Sequence, residues 1–95
     1  MEKRTVEFIW DKVKEEINIS KHKIDFKTAK EAFFDIKRII AIDEEHSKSE
    51  ERYFCIGKTS KGICTVRFVY RGSQIRIFGA GLWRKGKVFY EKNNK

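Results

Sequence analysis

The stretch from Arg52 to Phe78 constrains the fold more than any other part of the sequence. It reads as three strands, Arg52–Lys58, Ile63–Arg71 and Gln74–Phe78, joined by Thr59-Ser60-Lys61-Gly62 and by Gly72-Ser73. Both links have turn composition. A parallel crossover needs a dozen residues or more, so links this short make the three strands antiparallel neighbours. Side chains alternate across a strand. In the middle strand Cys64, Val66, Phe68 and Tyr70 point one way, and Thr65, Arg67, Val69 and Arg71 the other. In the last strand Ile75 and Ile77 oppose Gln74, Arg76 and Phe78. Matching apolar rows places Arg67, Arg71 and Arg76 together on the face away from the core. Such a face, basic and partly aromatic, suits RNA; the alternative is that its arginines only solubilise an open sheet.

Upstream, Thr5–Trp10 alternates loosely and reads as a strand, after which Asp11 can cap a helix. Val13 and Ile17 share one side of that helix, and Lys14, Asn18 and Lys21 line a neighbouring polar side. Asp25 reads as a second cap. Behind it Phe26, Ala29, Ala32, Phe33 and Ile36 follow helical spacing and are expected to face a core. Lys37–Ile42 reads as a strand, Asp43–Glu51 as a polar loop, and Leu82–Glu91 as a short helix that Gly86 weakens by about 1 kcal/mol relative to alanine. The expected architecture is α+β: an antiparallel sheet of about four to five strands, two N-terminal helices on one face and a short C-terminal helix.

With 95 residues, the chain is expected to form a single domain over residues 1–95. Its net charge of +8 is unevenly placed. Residues 1–50 hold 11 Lys/Arg against 12 Asp/Glu, a net −1, whereas residues 51–95 hold 11 against 2, a net +9. That asymmetry favours a polyanionic partner over a bare solvated surface. A membrane is not expected as a partner, because no basic amphipathic helix of useful length is present. Met1-Glu2-Lys3-Arg4 and the short apolar run after it read as neither signal peptide nor membrane span, so the expected location is the cytoplasm. Cys55 and Cys64 lie within apolar strands and read as buried free thiols. No phosphate-binding glycine loop, nucleophile elbow or zinc-ligand spacing is found, and neither cofactor nor metal is expected.

Four runs resemble the BrnT toxins. They are Phe8-x-Trp10-Asp11-x-x-Lys14-x-x-x-Asn18-x-x-Lys21-His22-x-Ile24-x-Phe26 closing with Ala29, then His46-Ser47-x-x-Glu50-Glu51-Arg52, Ile56-Gly57 followed by Gly62, and Val69-x-Arg71-Gly72-x-x-Ile75-Arg76-Ile77. Tyr90-Glu91 fits as well, so the resemblance covers about Phe8 to Glu91. It implies a RelE-like fold, endoribonuclease activity and neutralisation by a cognate BrnA-like, DNA-binding antitoxin. A heterotetramer of toxin and antitoxin is one expected assembly. The chain departs from the family where many members carry Ser-Ala-Arg after the last strand: the arginine position is Gly81, with Arg84 or Lys85 as the candidates to replace it.

The resemblance implies metal-independent cleavage, in which the 2′-hydroxyl attacks the adjacent phosphate and the 5′-oxygen leaves. That chemistry needs a proton acceptor, cations for the charge gathering on phosphate, and a proton donor. Arg71 and Arg76 are assigned to the charge, since the guanidinium fork grips phosphate oxygens and stays charged. For proton transfer the candidates are His22, Lys21, His46 and Glu51. Histidine is the residue type suited to give or take a proton near neutral pH, which makes His22 a candidate base or acid, though a helix-end histidine also serves simply to bond free carbonyls. Lys21 fits phosphate binding as well, Glu51 can merely pair with Arg52 or Lys48, and His46 sits among carboxylates in a solvated loop. Arg67, Arg84 and Lys85 are expected to hold the RNA backbone, and Trp10 to stack on a base or to serve as a core residue at a strand end. A non-catalytic RNA- or DNA-binding module on the same basic face is the rival reading.

Overall fold

The computed structural model describes residues 6–95. Thr5 and the Met1–Arg4 segment, both read above from sequence, lie outside the described residues. Strand β1 (Glu7–Trp10) is followed by α1 (Lys12–His22) and α2 (Phe26–Lys30), which a 3-10 turn over Glu31–Phe34 extends. Then come β2 (Ile39–Ile42), a 3-10 turn at Glu44–His46, β3 (Tyr53–Thr59), β4 (Gly62–Arg71), β5 (Gln74–Gly81) and α3 (Arg84–Asn93). The strands form one five-stranded sheet in the order β1-β5-β4-β3-β2.

The sheet is mixed, which corrects the expectation of an antiparallel one. Strands β3 to β5 pair antiparallel, as their short links require, and β2 pairs antiparallel with β3 across a longer loop, but β1 runs parallel to β5, with Phe8 opposite Ile75 and Trp10 opposite Ile77. Tight turns dictate direction only for the strands they join. Helices separate β1 from the hairpins, so its direction was free.

Local chemistry sets the helices. The Asp11 carboxylate accepts the Val13 and Lys14 N–H groups at 2.8 and 3.2 Å, capping α1. Lys23, left-handed at φ 59°, ends it by donating its N–H to Ile19 O. Glu15 reaches from α1 to accept the Phe26 N–H at 2.9 Å, and Asp25 accepts that of Thr28, so α2 starts on two carboxylates. The helical run stops earlier than its spacing suggests. Asp35 turns extended, and its carboxylate takes the backbone N–H groups of Lys37 and Lys58 and the Tyr90 hydroxyl. Ile36, expected in the core, is therefore 91% exposed.

Ile24, Phe26, Ala29, Ala32 and Phe33 cover one face of the sheet, burying Cys55, Cys64, Val66, Phe68, Ile75, Ile77 and Ala80. Phe68 anchors this core, with Phe33 edge-on at 5.0 Å and Tyr53 stacked at 5.5 Å. The other face is not open throughout: α3 lies across it, so helices occupy both faces. Gly86 allows this, because a β-carbon there would collide with the Thr65 side chain of β4. The residue that costs helix propensity thus lets the helix pack down. Among the described residues no helix is long and apolar enough to cross a membrane.

Candidate nucleic-acid interface

Strand β1 ends opposite Ile77, which leaves the last residues of β5 without a strand neighbour on that edge. Asn18 fills the gap. Its Oδ1 accepts the Ala80 N–H at 3.1 Å, and its Nδ2 donates to Ala80 O and Ile24 O, both at 3.0 Å. One buried side-chain amide thus does what a paired strand would do, and it fixes α1 along the edge of β5. The sequence reading placed Asn18 on a polar helix surface, yet it is only 7% exposed.

Between α1 and the end of β5 lies a groove of about 220 Å³, lined by Lys14, Ile17, Asn18, Lys21, His22, Arg67, Phe78, Gly79 and Trp83. Lys14 and Lys21 sit two helical turns apart and face the same way. His22 ends the helix with its ring edge-on to Trp83, centroids 5.0 Å apart. Arg67 enters from β4, its guanidinium 5.3 Å from the Phe78 ring, which Arg52 also approaches, to 5.1 Å. Phe78 is presented there because the β4–β5 register slips by one residue between Arg67 and Phe68. The groove therefore combines three permanent cations, one imidazole and two aromatic rings, and among the described residues no carboxylate lines it. The Asp43 carboxylate lies 3.8 Å from the terminal nitrogen of Arg67.

Of the residues expected from sequence, Lys21, His22 and Arg67 come together here. Arg71 and Arg76 share the sheet face of Arg67 but lie farther along it: Arg71 ends β4 in an ion pair with Glu50, and Arg76 pairs across to Val69. Arg76 is near enough to Asp11 to help hold that carboxyl below its usual range, though the Lys14 and Val13 N–H bonds contribute most. Glu51 accepts the Tyr53 hydroxyl at 3.1 Å, which raises the Tyr53 pKa. Trp10 lies on the opposite, core-facing side, edge-on to Phe26 at 6.0 Å. Arg84 and Lys85 are exposed at the start of α3, directly after Trp83.

Trp83 was not singled out from sequence, although the signal was present. At Gly81 a β-carbon would lie 2.5 Å from the Trp83 ring. The indole fills the space that a side chain at position 81 would take.

The fold and groove are those of a small, basic α+β protein suited to hold a polyanion between a cationic helix and an arginine-bearing strand. A family profile described as "Ribonuclease toxin, BrnT, of type II toxin-antitoxin system" matches residues 10–86, a span that contains every groove residue. The chain belongs to the BrnT family of ribonuclease toxins, and membership implies an RNA substrate and an antitoxin protein as partners. No curated protein matches the sequence.

Proposed function

We propose that this protein is a metal-independent endoribonuclease whose RNA lies in the groove between α1 and β5. The observation that carries the reading is the convergence of Lys14, Lys21, His22, Arg67 and Trp83 around one cavity. Arg67 and Lys21 neutralise the charge that builds on the phosphate as the 2′-oxygen attacks. His22 transfers a proton in that step, and Trp83 offers its ring to a base. Arg71 and Arg76 continue the basic track beyond the groove, with Arg84 and Lys85 at its other end. Glu51 stands apart from this cavity, and we give it no part in proton transfer.

We read the five-stranded sheet with its flanking helices as a RelE-like arrangement. The antitoxin is a BrnA-like DNA-binding protein that forms a heterotetramer with this chain, and it is acidic where it meets residues 51–95, whose net charge is +9. Raising salt therefore slows association more than it speeds release. The test of the activity is end analysis: labelled RNA incubated with protein in excess EDTA yields 5′-hydroxyl and 2′,3′-cyclic or 3′-phosphate ends. A 5′-phosphate product, or loss of all cleavage in EDTA, contradicts the mechanism. Salt-sensitive RNA binding without any product favours the non-catalytic module instead.

A further inference from the structure

A second group of titratable side chains borders the groove and has no part in the reading above. Asp43, just after β2, is 4% exposed. Its carboxylate meets His46 Nδ1 at 2.9 and 3.2 Å and lies 3.8 Å from the Arg67 guanidinium that lines the groove. The loop carrying both residues is tied down. Ser47 Oγ donates to the Asp43 carbonyl at 2.6 Å and accepts the Arg52 N–H at 2.9 Å, while the Asp43 N–H donates to Arg52 O at 2.7 Å. The His46 imidazole is half-exposed beside a shallow concavity lined by Glu45, His46, Lys48, Ser49 and Arg52. Arg52 and Arg67 both lie over Phe78, so that ring joins this concavity to the groove.

A solvated surface pair does not need a buried carboxylate, because burying one costs free energy unless it is paired and hydrogen-bonded. Against a carboxylate acceptor Nδ1 carries the proton, which leaves Nε2 as the unprotonated nitrogen of a half-exposed ring. That arrangement fixes tautomer and ring orientation. The charged groups around the ring are Asp43 and Glu45, with Lys48, Arg52 and, from β4, Arg67 opposing them.

We infer that His46 is the general base of the RNA cleavage and that Asp43 is the residue that positions it, an inference that rests on the ribonuclease reading of the groove. Nε2 of His46 takes the 2′-hydroxyl proton as the O2′–P bond forms, and the P–O5′ bond breaks with its electron pair going to O5′. His22, which lines the groove with Arg67, gives O5′ its proton. The products are a 2′,3′-cyclic phosphate and a 5′-hydroxyl, and each imidazole re-equilibrates with solvent. Arg67 is then the residue that links the two histidines, lining the groove with His22 and lying beside the Asp43 that holds His46.

The experiment compares single-turnover cleavage of an all-oxygen RNA with that of the same RNA carrying sulfur at the bridging 5′ position, a leaving group that needs no protonation. His46→Ala is expected to slow both substrates by about a hundredfold or more, with RNA affinity retained. Added imidazole should restore part of the rate. Asp43→Asn should slow both substrates less, and His22→Ala should be slow on the oxygen substrate only. Circular dichroism confirms that each variant is folded. Wild-type rates from His46→Ala, its rescue by sulfur, or no response of the folded variant to imidazole each overturn the assignment. If wild-type protein cuts neither substrate, the ribonuclease reading itself falls, and this inference with it.

Discussion

Replacing Asn18 with alanine tests how the groove is held together. The side chain makes three hydrogen bonds with buried backbone groups, to Ile24 O, to Ala80 O and from the Ala80 N–H. Alanine strands all three. A buried polar group left without a partner costs about 1–3 kcal/mol. Since the groove beside Asn18 lets water reach part of the gap, the low end applies, for a total of about 3 kcal/mol. In a protein of this size each kcal/mol lowers Tm by roughly 4–8 °C, so a fall of at least about 12 °C is expected. Asn18→Asp is informative because it keeps the acceptor for Ala80 and sets an anion beside two carbonyl oxygens. It should be at least as damaging at neutral pH. Its carboxyl would have a folded pKa raised above the unfolded value, so stability should recover as pH falls to the unfolded value and below. Urea titrations of both variants from pH 4 to 8 measure this, with unchanged m values confirming a comparable transition. A loss below about 0.5 kcal/mol for Asn18→Ala, the range of ordinary surface changes, would refute the argument that this amide replaces a strand partner.

Three other outcomes follow from the structure. Burial pushes both the Cys55 and Cys64 thiols up to about 12, so a thiol reagent at neutral pH should label neither in folded protein and both once urea unfolds it. The Tyr90 hydroxyl donates to Asp35 at 2.6 Å and its pKa is pushed up to about 12. The stability it contributes is complete below its ordinary value of 10.0 and is lost as pH rises through about 12, so Tyr90→Phe should cost about 1.5–3 kcal/mol at neutral pH and flatten the alkaline limb of the stability curve. Gly81→Arg should expel the Trp83 indole, changing its fluorescence and costing about 1–3 kcal/mol, whereas the same change on a Trp83→Ala background should be better tolerated.

The hairpin half of the sheet was legible because its signal is local. Turn composition and alternation fixed which strands pair, which row of β4 is buried, and that Arg67, Arg71 and Arg76 share a face. The helix caps at Asp11 and Asp25 were equally readable, as one side chain and two N–H groups decide each. What escaped depends on contacts between distant residues. The parallel pairing of β1 follows from packing across the sheet. Ile36 leaves the core because Asp35 is claimed by Lys58 and Tyr90. Asn18 lies sixty-two residues from the strand it completes, and nothing in helical periodicity separates it from an exposed polar residue. The groove was half legible. Helical spacing puts Lys14, Asn18 and Lys21 on one side of α1, whereas closeness in sequence draws attention to Arg71 and Arg76. In the folded protein Arg71 is paired with Glu50, while Arg67, set between Phe78 and Asp43, reaches the groove.

The central claim is that catalysis belongs to the groove between α1 and β5, and single-turnover RNA cleavage by five alanine variants tests it most directly. Replacing Lys21, His22 or Arg67 should reduce the rate about a hundredfold or more with far smaller loss of RNA affinity, since many other cations hold the backbone. Replacing Arg71 or Arg76 should mainly weaken binding and flatten its salt dependence. The reverse ranking, with Arg71→Ala and Arg76→Ala inactive and folded while Arg67→Ala and His22→Ala cut RNA at the wild-type rate, would contradict the account.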